Sequence, residues 1–371
     1  MCVSGKVGCI VRKRWLCFCF AVCLALSLTA CGTSETAPAS SYGAAPPVTS
    51  VKPEKEAEED GLEGTNPLTG LPIAEEQETL RPVAVMLNDL KEAMPQLGVG
   101  EADIIYEIPA EGGITRMLAV YQDPEPVEML GSIRSTRPYY IDLVLGHDAI
   151  LVHAGGSPSA YADLAQWKVD NLDGVNGGSD AEIFWRDQER KENVGYEHSM
   201  MTSGENIETY LEESSIRRDH EEDYRYAVQF SAEGMSLTGK TAHQVSVRFS
   251  SYKTGVFDYE KKSGTYLVSQ YGAPYVDGNT GEQVAVSNLL ILKTRVSLLS
   301  GDTAGRLSVD LDGEGSGIYV CNGQAVNISW NKPTRSDPLT YTLEDGTPLT
   351  LKAGKSYICV VSNDSPVEIS A

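Results

Sequence analysis

An α+β architecture in two domains is predicted from three observations. Residues 66–222 mix apolar strand runs with capped helices, whereas residues 223–371 fall into short alternating runs separated by turns. Removing a 30-residue leader from 371 residues leaves 341, more than a single core usually serves. The expected body is a mixed α/β N-terminal domain followed by a mostly antiparallel β C-terminal domain.

The chain opens with a basic stretch (Lys6, Arg12, Lys13, Arg14) ahead of an apolar run ending in Leu28-Thr29-Ala30-Cys31. Small residues before a cysteine mark a lipoprotein signal, cleaved before Cys31, whose thiol then carries a diacylglyceryl group. The run is about sixteen residues long, short of the ~20 that cross a hydrocarbon core. Residues 1–30 are therefore read as the signal peptide. The mature chain would sit on the extracytoplasmic face of a membrane, anchored through Cys31. Residues 31–65 hold Ser, Thr, Ala and Pro and then a charged run, Glu54–Asp60, and are read as a flexible tether.

In the first domain, Arg81–Leu87, Ala102–Pro109 and Ile114–Tyr121 read as strands, the last two joined at Gly112-Gly113. Pro138–Leu145 reads as a helix with proline near its first position. Ala149–His153 is a buried strand, and Ser157 caps a helix that Pro158 opens. Thr202 and Glu205 form an apparent capping box for a third helix. The second domain alternates through Val245–Phe249, Thr265–Tyr271, Val284–Thr294 and Ile318–Cys321, with no long helical pattern.

The leader's four basic residues account for part of the 30 Lys and Arg. The remaining 26 face 52 Asp and Glu, a net charge of −26 after processing. That balance excludes nucleic acid and anionic lipid headgroups as natural partners, and ordinary solubility is enough to explain it. Five of eight cysteines leave with the signal and Cys31 takes the lipid, so only Cys321 and Cys359 remain. A disulfide between them and two unpaired core thiols are both compatible with the sequence. Two cysteines are too few for a structural zinc site, no His-Glu-x-x-His occurs, and neither a metal nor a cofactor is expected.

The most distinctive motif is Glu107-Ile-Pro-Ala-Glu111-Gly-Gly-Ile-Thr-Arg116. Hairpins with two- or four-residue loops both place Glu107 and Arg116 on one face, predicting an ion pair. Ile133-Arg134-Ser-Thr-Arg137-Pro138 sets two arginines at a helix start. His153-Ala-Gly155-Gly156-Ser157 repeats the device with glycines that admit a ligand to the backbone. Arginines beside free helix N–H groups suit phosphate or carboxylate. Each motif taken singly is also an ordinary turn and cap. Phe184-Trp-Arg-Asp187 with Arg190, and Trp330-Asn-Lys332 with Arg335, suit either sugar rings or an interdomain seam.

Together, Asn66–Pro72, Glu111–Arg116, Arg134–Tyr140, His153–Pro158 and Phe184–Asp187 resemble the YerB family of bacterial lipoproteins. Asn322-Gly-Gln and Trp330-Asn-Lys332 resemble that family's C-terminal domain, so the likeness runs from about residue 66 to the end. It implies a two-domain α+β body on a lipid anchor. It implies no reaction, since the family's activity is unknown. The family's Pro-His-Asn-Leu-Tyr stretch is replaced here by Glu197-His-Ser-Met-Met201, so that ligand contacts made by that stretch are expected to differ here.

The resulting expectation is a lipid-anchored envelope protein that binds an anionic or glycan ligand. Arg116, Arg134 and Arg137 would hold the charge, and Gly155, Gly156 and Ser157 would supply donors. The competing expectation is a hydrolase of glycan or phosphodiester, drawing on Glu107, Glu111, His153 or His198 as acid and base. A third is a scaffold that docks another envelope protein through its β domain.

Overall fold

The structure is a computed structural model that describes residues 64–371. The signal peptide, Cys31 and most of the tether lie outside the described residues. The elements that position the site are, in chain order, β1 (Val83–Asn88), β2 (Ile104–Pro109), β3 (Thr115–Tyr121), α1 (Pro138–Gly146), β4 (Ile150–His153), α2 (Pro158–Trp167), β5 (Asn171–Asp173) and α3 (Gly204–Glu213). The second region adds β6 (Gln244–Arg248), β7 (Thr254–Glu260), β8 (Thr265–Gln270), β9 (Asn288–Thr294), β10 (Gly313–Cys321), β11 (Gln324–Lys332), β12 (Ser356–Ser362) and β13 (Val367–Ser370).

One 11-stranded sheet runs through both regions, with the path Lys240–Thr241, β11, β10, β9, β12, β2, β3, β1, β4, β5 and with Thr340–Leu343 beside β11. The join is β12, which pairs in parallel with β9 on one side and with β2 on the other. Ladders in the second region are otherwise mostly antiparallel, apart from a short parallel pair between Gln229–Ser231 and Thr350–Lys352.

Both faces of the large sheet are covered, so its central strands read as unbroken apolar runs. On one face Val85, Leu87, Met117, Ala119 and Tyr357 pack against a six-stranded sheet built on β6, β7, β8 and β13. On the other, Met86, Leu118, Val120 and Ile358 pack against Tyr140, Ile141 and Val144 of α1 and Leu164 of α2. At ~25 cal/mol per Å² of apolar area removed from water, these two faces are the main source of stability.

The helix starts follow local chemistry. Proline opens α1 and α2, and the Ser157 hydroxyl accepts from the Ala160 N–H at 3.1 Å. For α3 the cap lies one residue beyond the expected Thr202. Ser203 accepts from the Asn206 N–H, because the Thr202 hydroxyl is already donating to the Ile183 carbonyl.

The expected Glu107–Arg116 ion pair does not form. Pro109 pairs with Thr115, leaving five residues, 110–114, in the connection. An odd loop shifts the register by one, so Glu107 lies opposite Met117 and Arg116 opposite Ile108, on opposite faces. Gly112 and Gly113 both take positive φ (69° and 79°), which a side chain would resist. Cys321 and Cys359 are both buried free thiols, so no disulfide joins them. Their strands are separated by β9, and they sit on opposite faces of the sheet.

The Trp330–Arg335 cluster is a seam between the two regions. Trp330 is buried, and the Arg335 guanidinium meets Asp142 of α1 at 2.5 Å and Asp163 of α2 at 2.7 Å. The other aromatic–basic cluster is internal to the first region. Arg186 lies over the Tyr196 ring, and Arg190 donates to the Ala93 and Pro95 carbonyls.

Candidate functional site

Strands β1, β4 and β5 are parallel, and the two helix starts lie at their carboxyl ends. In open α/β sheets that edge is where ligands bind. Segment 132–137 runs along it. The Arg134 N–H donates to the Met86 carbonyl, the Ala154 N–H to the Arg134 carbonyl, and the Thr136 N–H to the Gly155 carbonyl. Thr136 and Gly156 form a parallel bridge, so the two motifs seen in the sequence lie side by side.

Three guanidinium groups lie here, two of them on the Glu111 carboxylate. Arg137, preceding α1, donates through Nε to Glu111 Oε1 at 2.5 Å and through Nη1 to the Thr136 carbonyl. Arg116, from β3, approaches Glu111 Oε2 at 3.4 Å through Nη2. Arg134 donates to the Glu197 carbonyl at 2.8 Å. Burial, with the Arg137 charge, pushes Arg116 below the usual guanidinium range. Burial and the Arg116 charge bring Arg134 down to about 10. Burial would raise the Glu111 carboxyl, but the hydrogen bond from Arg137 and the Arg116 charge outweigh it and hold the group below its ordinary value.

Arg116 is the unusual member. It is 5 % exposed, and its Nε and Nη1 have no hydrogen-bond partner among the described residues. The Thr136 hydroxyl is likewise buried and unpartnered. Buried polar groups are almost always satisfied, so a charged donor left open in this setting calls for a partner. The surroundings are partly exposed at Glu111, Gly112, Arg134 and Ser135.

The other sequence candidates are placed differently. His198 adjoins the site. Its Nδ1 meets Asn88 Nδ2 at 2.7 Å, and burial, with the Arg134 charge, lowers its pKa. His153 is fully buried, with Nδ1 on the Gly155 carbonyl at 2.8 Å and Nε2 on Asn171 Oδ1 at 3.1 Å, so neither ring nitrogen is open to a ligand. Glu107 is sealed in the opposite layer with Lys253 and Tyr357. In the glycine turn, the Gly155 N–H donates to Asp173 and the Ser157 N–H to the Thr136 carbonyl. Only the Gly156 N–H of the three is without an acceptor among the described residues. Thr136 was legible within the Arg134–Arg137 motif but carried no signal of its own. Asp173, which orients Gly155 and accepts from Tyr161 at 2.6 Å, gave none either.

The two-region α+β body corresponds to a class of two-domain proteins of unknown function. Residues 68–217 match the family described as "Protein of unknown function (DUF3048) N-terminal domain" and residues 245–358 match its C-terminal domain. The chain is 31% identical over 308 residues to "Putative lipoprotein YerB" of Bacillus subtilis (strain 168), covering 82% of this chain and 88% of that protein. It also superposes on the crystal structure of the Bacillus subtilis YerB protein with a TM-score of 0.69 at 29% identity, covering 82% of this chain and 99% of that one. The chain belongs to the YerB family.

Proposed function

We propose that this chain is a lipid-anchored extracytoplasmic protein that binds an anionic ligand, carboxylate or phosphate, through Arg116, Arg134 and Arg137. The open, buried guanidinium of Arg116 carries this reading. An anion seated against Nε and Nη1 satisfies donors that are otherwise desolvated without return. The hydrolase reading loses support on three counts. Glu107 is out of reach of solvent, His153 has both nitrogens engaged, and Glu111 is shifted in the direction opposite to a general acid.

Titration with inorganic phosphate, followed by thermal shift and calorimetry, tests the binding. Alanine at Arg134 or Arg137 is expected to weaken phosphate by about 10-fold or more each, as losing a charge-assisted hydrogen bond does. Unchanged affinity in both variants would sink the reading. For the anchor, the signal at 1–30 and the lipoprotein relative support attachment at Cys31. Cys31→Ser is expected to move the protein from the membrane pellet to the soluble fraction. A variant that still pellets, with detergent alone releasing it, would count against the anchor.

A further inference from the structure

Between the large sheet and the six-stranded sheet lies a sealed polar cluster that the anion site does not use. Lys253 Nζ is 2.7 Å from Asp89 Oδ2 and 3.3 Å from Glu107 Oε1, and all three side chains are fully buried. Asp89 follows the end of β1, Glu107 is on β2, and Lys253 sits in the turn before β7, so the cluster links the two regions. Gln270 Oε1 also accepts from Lys253, and the Tyr357 hydroxyl donates to Glu107 Oε2 at 2.6 Å. The ammonium lies over the Tyr271 ring, 4.4 Å from its centre.

Two details single out Asp89. The Thr115 hydroxyl lies 2.5 Å from Asp89 Oδ2 and 2.8 Å from Glu107 Oε1. One hydroxyl proton serves only one of those contacts, so the other needs a proton on a carboxyl. Burial, together with the nearby Glu107 and against the pull of Lys253, raises the Asp89 pKa well above its ordinary value. Asp89 Oδ1 has no partner among the described residues. The shared hydroxyl and the burial together favour the neutral form of Asp89, held against the Lys253 ammonium with Glu107 beside both.

We propose that Lys253 and Asp89 are joined by an intramolecular isopeptide bond, formed in the folded chain with Glu107 as the proton carrier. The Lys253 ammonium gives a proton to the Glu107 carboxylate. The free amine attacks Asp89 Cγ, forming the C–N bond. Glu107 protonates the carbonyl oxygen as the electron pair moves onto it and takes a proton back from the nitrogen. It then delivers that proton to the departing hydroxyl, so the C–O bond breaks and one water leaves, and it takes back the proton of the remaining hydroxyl as the C=O re-forms. The ammonium, carboxyl and carboxylate become an amide, a water and a protonated Glu107, with charge and atoms balanced and no outside reagent. Fixed contact replaces a chance encounter, which is where effective molarities of ~10⁵–10⁸ M arise. The product also removes two ions from a sealed site.

The test is peptide mapping of the full-length chain after denaturation and trypsin digestion. The expected result is a branched peptide joining the segment of Asp89 to that of Lys253, lighter by one water than the two linear peptides together, with no cleavage after Lys253. Lys253→Arg, which keeps the charge but cannot form the amide, is expected to give linear peptides only, as is Glu107→Gln. Linear peptides alone from the folded wild-type chain would overturn the bond and leave an ion pair. Since a variant that fails to fold gives linear peptides for another reason, the wild-type map decides. A Glu107→Gln chain that folds and still yields the branched peptide would overturn the role of Glu107.

Discussion

Lys253→Met is expected to destabilise the folded chain by about 3–5 kcal/mol, because it removes the link to Asp89 and leaves Asp89 and Glu107 face to face in a sealed layer. The side chains are similar in size, so packing changes little, and the loss comes from the missing link and from the two carboxyl groups left together. The second expectation is what makes this specific. Adding Asp89→Leu to Lys253→Met removes the uncompensated carboxyl and should return part of the loss, a non-additivity expected for groups in contact. Urea unfolding of the wild type, both single variants and the double variant measures it. A single-variant loss below about 1 kcal/mol would show that water reaches the cluster and that the two sheets do not depend on it.

Arg116→Met is expected to act in two opposite directions. Phosphate affinity should fall by about 100-fold, since the most deeply buried guanidinium of the site is gone. The ligand-free chain should become more stable, by about 1–3 kcal/mol. A desolvated cation with open donors is replaced by a thioether that fits the apolar neighbours Ile108 and Leu118. Glu111 keeps its partner, since Arg137 holds it at 2.5 Å. A binding residue retained at a cost to the empty fold behaves this way, whereas a residue kept for structure does not. Chemical denaturation with and without phosphate separates the two. An Arg116→Met chain that is less stable without ligand and binds phosphate as before would mean that Arg116 braces β3 and no more.

What the sequence disclosed depends on how local each determinant is. The starts of α1 and α2 were readable because proline and serine act within one turn of themselves. Arg134 and Arg137 were readable as one motif, and their approach to Gly156 followed from two short strand-to-helix turns at one sheet edge. The face of Glu107 was not. It turns on whether the connection holds an even or odd number of residues, and Gly112-Gly113 is compatible with either. The α3 cap missed by one residue because Thr202 and Ser203 are both competent, and the choice was made by a distant carbonyl of Ile183. Nothing near Lys253 signals that it meets Asp89, a partner 164 residues away. Cys321 and Cys359 read alike as strand cysteines, and only the sheet order shows that β9 lies between their strands.

The placement of β12 has a bearing on how such a chain is made. The strand that flanks β2 is Ser356–Ser362, with paired-strand residues such as Tyr357 and Glu107 separated by 250 positions of chain. Until it arrives, the β2 edge stands open, with unpaired amides next to apolar side chains, in a form prone to wrong pairing. The early half of the polypeptide therefore cannot mature as an autonomous nascent unit. A chain caught mid-synthesis has to be shielded or kept extended until this strand is made.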